Sequence, residues 1–421
     1  MKTRYIFSPP PSKALFLVLL FALSACSPSD ETDALPWNVG EENQQPGGDT
    51  DGDGDGTGDS VEEGSAHSIL LLDENATLNA TGYTPEFRVD VPDNVLSMTV
   101  TVTEGDPEAQ FSITGWRNPD GFMILPNRWE QSSQSGMCYP DCNNRVVLSA
   151  GAFSALAPNN PASKVDPGEH RFTVFGVVAE GFQARPASGS VRVQVHAKVV
   201  DDEVPLRGVL DLNFYFTGAN DWTAASAKED PEFDELIERL NEIYDQVGIT
   251  IGEVSFNDAD SSYRVITDAT SGTGDLSELF ASTGDSPLMG PNVFFVDELR
   301  AGAGSPFGMI AGIAGGIPGP IRTQGSVRSG VAIATEILDD PEVPFGIAEV
   351  VGHELGHYLG LFHTTENEIA QMFPGFMPAH DPLPDTPEND PSYLMFYSGS
   401  GDNLSEWQGR VMRKNPWVRH P

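Results

Sequence analysis

Three histidines and one glutamate fall within a single short stretch, His353-Glu354-Leu355-Gly356-His357-Tyr358-Leu359-Gly360-Leu361-Phe362-His363. On an α-helix, residues four apart share a face, so His353 and His357 project side by side with Glu354 beside them. Gly360 can adopt the left-handed conformation that ends a helix, which lets the chain turn and return His363 toward the same point. Three neutral imidazoles are a zinc ligand set that leaves one tetrahedral position for water, and a water so placed ionises near pH 7. Glu354 then has the role of general base rather than ligand, taking the proton of the attacking water and passing it to the leaving amine. The chemistry these residue types can perform is metal-assisted hydrolysis.

The stretch needs a helix to carry it. Val350, Val351, Leu355, Leu359 and Leu361 supply an apolar back, and Asp339, Asp340, Pro341 and Pro344 mark where the helix begins. A two-histidine pattern alone arises by chance; the added Gly360 and His363 set this one apart.

The extended motif resembles that of the metzincin zinc endopeptidases, whose second hallmark is a methionine-containing turn beneath the metal. Ser392-Tyr393-Leu394-Met395-Phe396-Tyr397-Ser398-Gly399 looks like that turn, with Met395 as its apolar floor. By this resemblance Tyr397 is the residue that contacts the metal or steadies the oxyanion, a role that suits a phenolic donor beside developing negative charge. Within the clan the chain is most similar to the pappalysin family, and to its bacterial lipoprotein members. The likeness rests on the Phe362-His363-Thr364 helix exit, on Asp385-Thr386-Pro387, on the methionine turn and on the segment from Leu404 to Pro416, all in the last third of the chain. It also implies structural calcium after the third histidine, for which Asp381 and Asp385 offer hard oxygen ligands. No cysteine follows Cys142, so the cysteine some members carry in this region is absent.

The amino terminus carries Lys2, Arg4 and Lys13, then an apolar run from Ala14 to Ala22 and Leu23-Ser24-Ala25-Cys26, which reads as a secretory signal too short to span a bilayer comfortably. Its last four residues resemble a bacterial lipobox, with Cys26 the lipidated new terminus, and Ser27 after it favours the outer membrane. In an oxidising envelope Cys138 and Cys142 are expected to pair across a Pro-Asp turn; free thiols or a zinc-ligating latency cysteine are the alternatives. The net charge is −39, and cleavage of a signal with three basic and no acidic residues makes it −42. That charge argues against a nucleic-acid partner.

Composition divides the 421 residues into a signal (1–25), an acidic Gly/Asp-rich disordered tether (26–66), a sandwich domain (67–200) and a catalytic domain (201–421). Asp51, Asp53, Asp55, Gly56, Asp59 and Glu62 match the spacing of a calcium loop, but no amphipathic helices flank them, so a solvated linker is the reading. Short alternating runs at Phe87–Val91, Leu96–Val102, Arg145–Leu148, Arg171–Val178 and Gly189–Val199 predict an all-β sandwich, on which His170 and His196 are structural. Strands at Leu210–Phe216, Ile249–Phe256, Asn292–Val296 and Val331–Thr335, with a helix over Glu232–Val247, predict an α+β domain. Its twisted mixed sheet has helices packed beneath and is metzincin-like by the resemblance above. In metzincins the substrate lies along an edge strand. The Gly302–Gly319 stretch lacks a dinucleotide fingerprint and reads as a flexible cleft rim. The expectation is a lipid-anchored zinc endopeptidase acting on protein or peptide substrates. Its rivals are an inactive envelope adhesin, which a chelation assay separates, and a zinc amidase acting on cell-wall peptides, which a peptide library separates.

Overall fold

A computed structural model of the chain describes residues 64–125, 144–180, 183–300, 302, 310–336, 346–366, 379–398 and 401–420. Cys26, Cys138, Cys142, the acidic tether and Asp339 to Pro344 lie outside the described residues. The chain is mostly β-structure, in several sheets with few helices.

The first half builds one four-stranded and one six-stranded antiparallel sheet, the latter including the short strands Ser149–Ala150 and Gln183–Pro186. Its other strands are β1 (Ala66–Thr77), β2 (Phe87–Val91), β3 (Val95–Thr103), β4 (Ala109–Arg117), β5 (Met123–Leu125), β6 (Phe153–Ala157), β7 (Gly168–Glu180) and β8 (Ser190–Val200). One sheet runs β1-β8-β3-β6 and the other β2-β7-β4-β5. Val100, Val102, Val193 and Val195 of the first meet Val89, Phe111, Phe172 and Val174 of the second in one buried cluster, so alternation on each strand closes a sandwich core. His170 and His196 are both buried in this half.

The expected strand at Arg145–Leu148 is not formed. Both backbone polar groups of Arg145 are taken by the Asn159 side chain: its Oδ1 accepts from the Arg145 N–H at 3.0 Å and its Nδ2 donates to the Arg145 carbonyl at 2.7 Å. A ladder cannot use groups already satisfied, and pairing with β4 begins at Ser149–Ala150.

The second half is organised on β9 (Gly208–Phe216), β10 (Ile249–Asp258), β11 (Asn292–Val296), β12 (Gly312–Ala314) and β13 (Val331–Ala334), ordered β10-β9-β11-β13-β12. The first four strands in that order are parallel, and β12 closes the edge antiparallel to β13. Both faces are buried. Phe214, Phe295 and Ile333 point to one core, Tyr215, Phe294 and Ala332 to another, as strands covered on both sides require.

Helices α1 (Pro231–Asp245), α3 (Ile347–Tyr358) and α4 (Glu406–Lys414) contribute to the first core, and α2 (Asp275–Ala281) covers the opposite face, which the sequence reading had left bare. Asp230 caps α1 by accepting the Glu232 N–H at 3.0 Å, Pro231 opens its first turn, and Phe233, Leu236, Leu240, Ile243 and Tyr244 form its buried stripe. The Tyr244 hydroxyl donates to the Gly352 carbonyl at 2.8 Å, tying α1 to α3 one residue before His353.

The halves are joined by polar contacts as well as by packing. Lys198 of β8 is buried, and its ammonium donates to the carbonyls of Arg413, Asn415 and Val418 at 2.6, 2.9 and 2.6 Å. Burial alone pushes this group well below the ordinary lysine range. Three carbonyl acceptors call for three N–H bonds, however, which only the charged form has. Arg328 reaches across in the same way, donating to the carbonyls of Ala150 and Thr270, each at 2.9 Å.

Candidate metal centre

The helix α3 is buried over nearly its whole length, and it ends as the glycine demands. The Gly360 N–H bonds to the His357 carbonyl and the Leu361 N–H to the Gly356 carbonyl, each at 2.9 Å, with Gly360 at φ 112°. This pair of bonds is a Schellman cap, and it reverses the chain so that His363 returns to the helix it has just left. The N–H of Thr364 then donates to the Met395 carbonyl at 2.8 Å, which fastens the returning strand to the methionine turn.

The three imidazoles converge. Nε2 of His363 lies 3.2 Å from Nε2 of His353 and 3.1 Å from Nε2 of His357. Two nitrogens about 2.05 Å from one ion at a tetrahedral angle sit about 3.3 Å apart, so the spacing is that of a shared cation. The outer nitrogens fix the tautomers. Nδ1 of His353 donates to the Leu394 carbonyl at 2.6 Å and Nδ1 of His357 to the Leu361 carbonyl at 2.7 Å. Each of these two rings therefore turns its Nε2 lone pair toward His363, and a cation resolves what would otherwise be lone pairs facing one another. Burial, with the neighbouring rings, holds His357 well below the ordinary imidazole range and so in the neutral, ligating form. Among the described residues these three histidines are the group of three or more His, Cys, Asp or Glu side chains that could hold a metal ion.

Glu354 is 7% exposed, on the same turn of α3, and its carboxylate faces the backbone of β12 at Ala314. Burial raises its pKa to about 8, against the pull of His363 and of that backbone. Beneath the rings, Met395 is fully buried, its Sδ only 2.5 Å from where a Cβ on Gly356 would stand. Gly356, between the two helical ligands, is thus the gap into which the thioether packs.

The remaining expected site residues have separate settings. Tyr397 is half-buried two residues after Met395, its ring 4.7 Å from that of Phe396. Asp381 is buried beside the helix exit: its N–H donates to the Thr364 carbonyl at 3.0 Å, and its Oδ1 accepts from the Leu383 N–H at 3.0 Å and the Thr386 hydroxyl at 2.5 Å. Asp385 instead accepts the Trp407 N–H at 3.0 Å, within the first turn of α4. The two aspartates serve different partners and join no third acidic group among the described residues.

Sequence reading missed the carbonyls of Leu394 and Leu361 and the strand β12. The carbonyls carry no residue-type signal. The strand was hidden in the Gly302–Gly319 stretch, where glycines read as flexibility.

No protein-family model matches the chain, and no curated protein matches it. Among solved structures it is similar to metalloproteinase-II from Bacteroides fragilis, at 12% identity and a TM-score of 0.26, over 52% of this chain and 62% of that one. It is also similar to a chaperone-substrate complex, at 11% identity and a TM-score of 0.25, over 61% and 39% of the two chains. A third is PliG from Aeromonas hydrophila, a periplasmic inhibitor of g-type lysozyme, at 14% identity and a TM-score of 0.16, over 32% and 88%. The chain spans less than two thirds of the Bacteroides metalloproteinase, and overlaps at these scores carry no argument about fold or function. The functional reading rests on the site itself: a β-rich chain with a three-histidine centre able to hold a metal ion.

Proposed function

We propose that the protein is a zinc-dependent endopeptidase of the metzincin, pappalysin-like kind. The observation that carries this is the convergence of the three Nε2 atoms at tetrahedral spacing with the Glu354 carboxylate on the same helical turn. His353, His357 and His363 would hold the ion, and zinc so held supplies a Lewis acid and a water acidified to about pH 7. Glu354 accepts the proton of the attacking water and delivers it to the leaving nitrogen. Tyr397 donates toward the carbonyl oxygen as it gains charge. The edge position of β12, with no strand beyond it in its sheet among the described residues, supports an extended polypeptide as substrate, paired to it through the main chain.

A peptide library incubated with the purified chain is expected to be cut at internal bonds, to be spared after chelation, and to be cut again once zinc is restored. Hydrolysis that ignores chelation would overturn the reading; cleavage restricted to cell-wall peptides would replace it with an amidase.

The proposal also locates the enzyme in the bacterial cell envelope, tethered through a lipid on Cys26 by the acidic segment 26–66. Metabolic labelling with palmitate is expected to mark the full chain and to leave Cys26→Ala unmarked. Equal labelling of both would remove the anchor.

A further inference from the structure

Gly312 stands where β12 passes over α3, and any side chain there would collide with the helix. A Cβ on Gly312 would lie 2.6 Å from Cγ and 2.8 Å from Oε1 of Glu354, and 2.9 Å from Cγ1 of Val350. Separations under 3 Å are closer than carbon and oxygen atoms tolerate in packed protein. The backbone does not explain the glycine: Gly312 is in ordinary strand pairing with Ile333 and is not among the residues with positive φ. What it supplies is room. Two residues on, the Ala314 backbone also faces the Glu354 carboxylate. The strand's register is pinned by Ile313 and Ala314 against Ala332 and Val331, and by the Ala334 N–H to Ala311 carbonyl bond at 2.8 Å and the Gly315 N–H to Gly330 carbonyl bond at 2.9 Å.

We propose that Gly312 is a positioning residue for Glu354: its missing side chain lets the edge strand descend onto the helix, so that the strand backbone packs against the carboxylate and holds it beside the three histidines. This rests on the proposed hydrolytic role of Glu354.

The test is Gly312→Ala, read by crystallography, by metal content and by steady-state kinetics. Displacement of the carboxylate by about 1 Å is expected to lower kcat about 10²-fold. Bound zinc per chain is expected to stay at the wild-type value, because no ligand has changed. In a Glu354→Gln background the same substitution should add no further loss, as for two residues that act as one unit. Three results would overturn the proposal: a carboxylate still at its wild-type position in the variant, a loss expressed in KM alone, or a loss of equal size in the Glu354→Gln background. Should the single variant fail to fold, Gly312→Ala/Val350→Ala clears the second contact and is read in the same way. The carboxylate position is visible in crystals whether or not the chain cleaves peptides. A wild-type protein without activity therefore refutes the function, and an undisplaced carboxylate refutes the positioning.

Discussion

Glu354→Gln is expected to lower kcat for peptide hydrolysis about 10³-fold, within the range that a positioned general base contributes, while zinc binding and KM change little. The amide matches the carboxylate in size, so the gap beneath Gly312 stays filled and the fold is not asked to collapse around a cavity. What it loses is the ability to accept a proton. The environment sets Glu354 apart from an ordinary surface carboxylate. Burial raises its pKa, and His363 and the backbone of β12 counter that rise. Metal analysis beside single-turnover kinetics separates the outcomes. Full turnover by the glutamine variant would remove Glu354 from the mechanism, and loss of zinc would make it a ligand.

Replacing His363 with alanine is expected to abolish both activity and tight metal binding. The loss should exceed the 10- to 100-fold that typically follows removal of a group supporting a ligand, about the scale set by outer hydrogen bonds. Two histidines on one helix remain in place, but the Nε2 that lies 3.1 and 3.2 Å from theirs is gone. Thermal unfolding offers a readout apart from catalysis. Zinc at 100 times its Kd should stabilise the native chain by about 2.7 kcal/mol, and the variant should gain far less at the same concentration. Equal stabilisation of both proteins would mean that His363 is not a ligand.

The partial legibility of the fold has a physical cause. Asn292–Val296 could be bounded from sequence because β11 is buried on both faces and reads as an unbroken apolar run. The α1 helix announced itself through Asp230-Pro231 and a regular apolar stripe. In contrast, β1 was missed, since its Asp73, Glu74 and Asn75 look like a loop. On an edge strand such residues are satisfied sideways: Asp73 holds Arg192 of β8 through two contacts of 2.7 Å. Pairing of that kind is invisible until the partner strand is in place.

The sequence by itself determined the local chemistry: two imidazoles and a carboxylate on one helical turn, a glycine that ends the helix at the right residue, and a third imidazole within reach. These follow from the 3.6-residue period and from a left-handed cap, both properties of contiguous chain. Only the tertiary structure decided that the Leu394 carbonyl orients the His353 ring, that the Met395 thioether fills the gap at Gly356, and that β12 lies close enough over α3 for Gly312 to meet Glu354. Those arrangements join residues separated by about forty positions in sequence. They depend on backbone atoms and on absent side chains, neither of which has a residue-type signature, so they take form only when the sheet and the helix pack together.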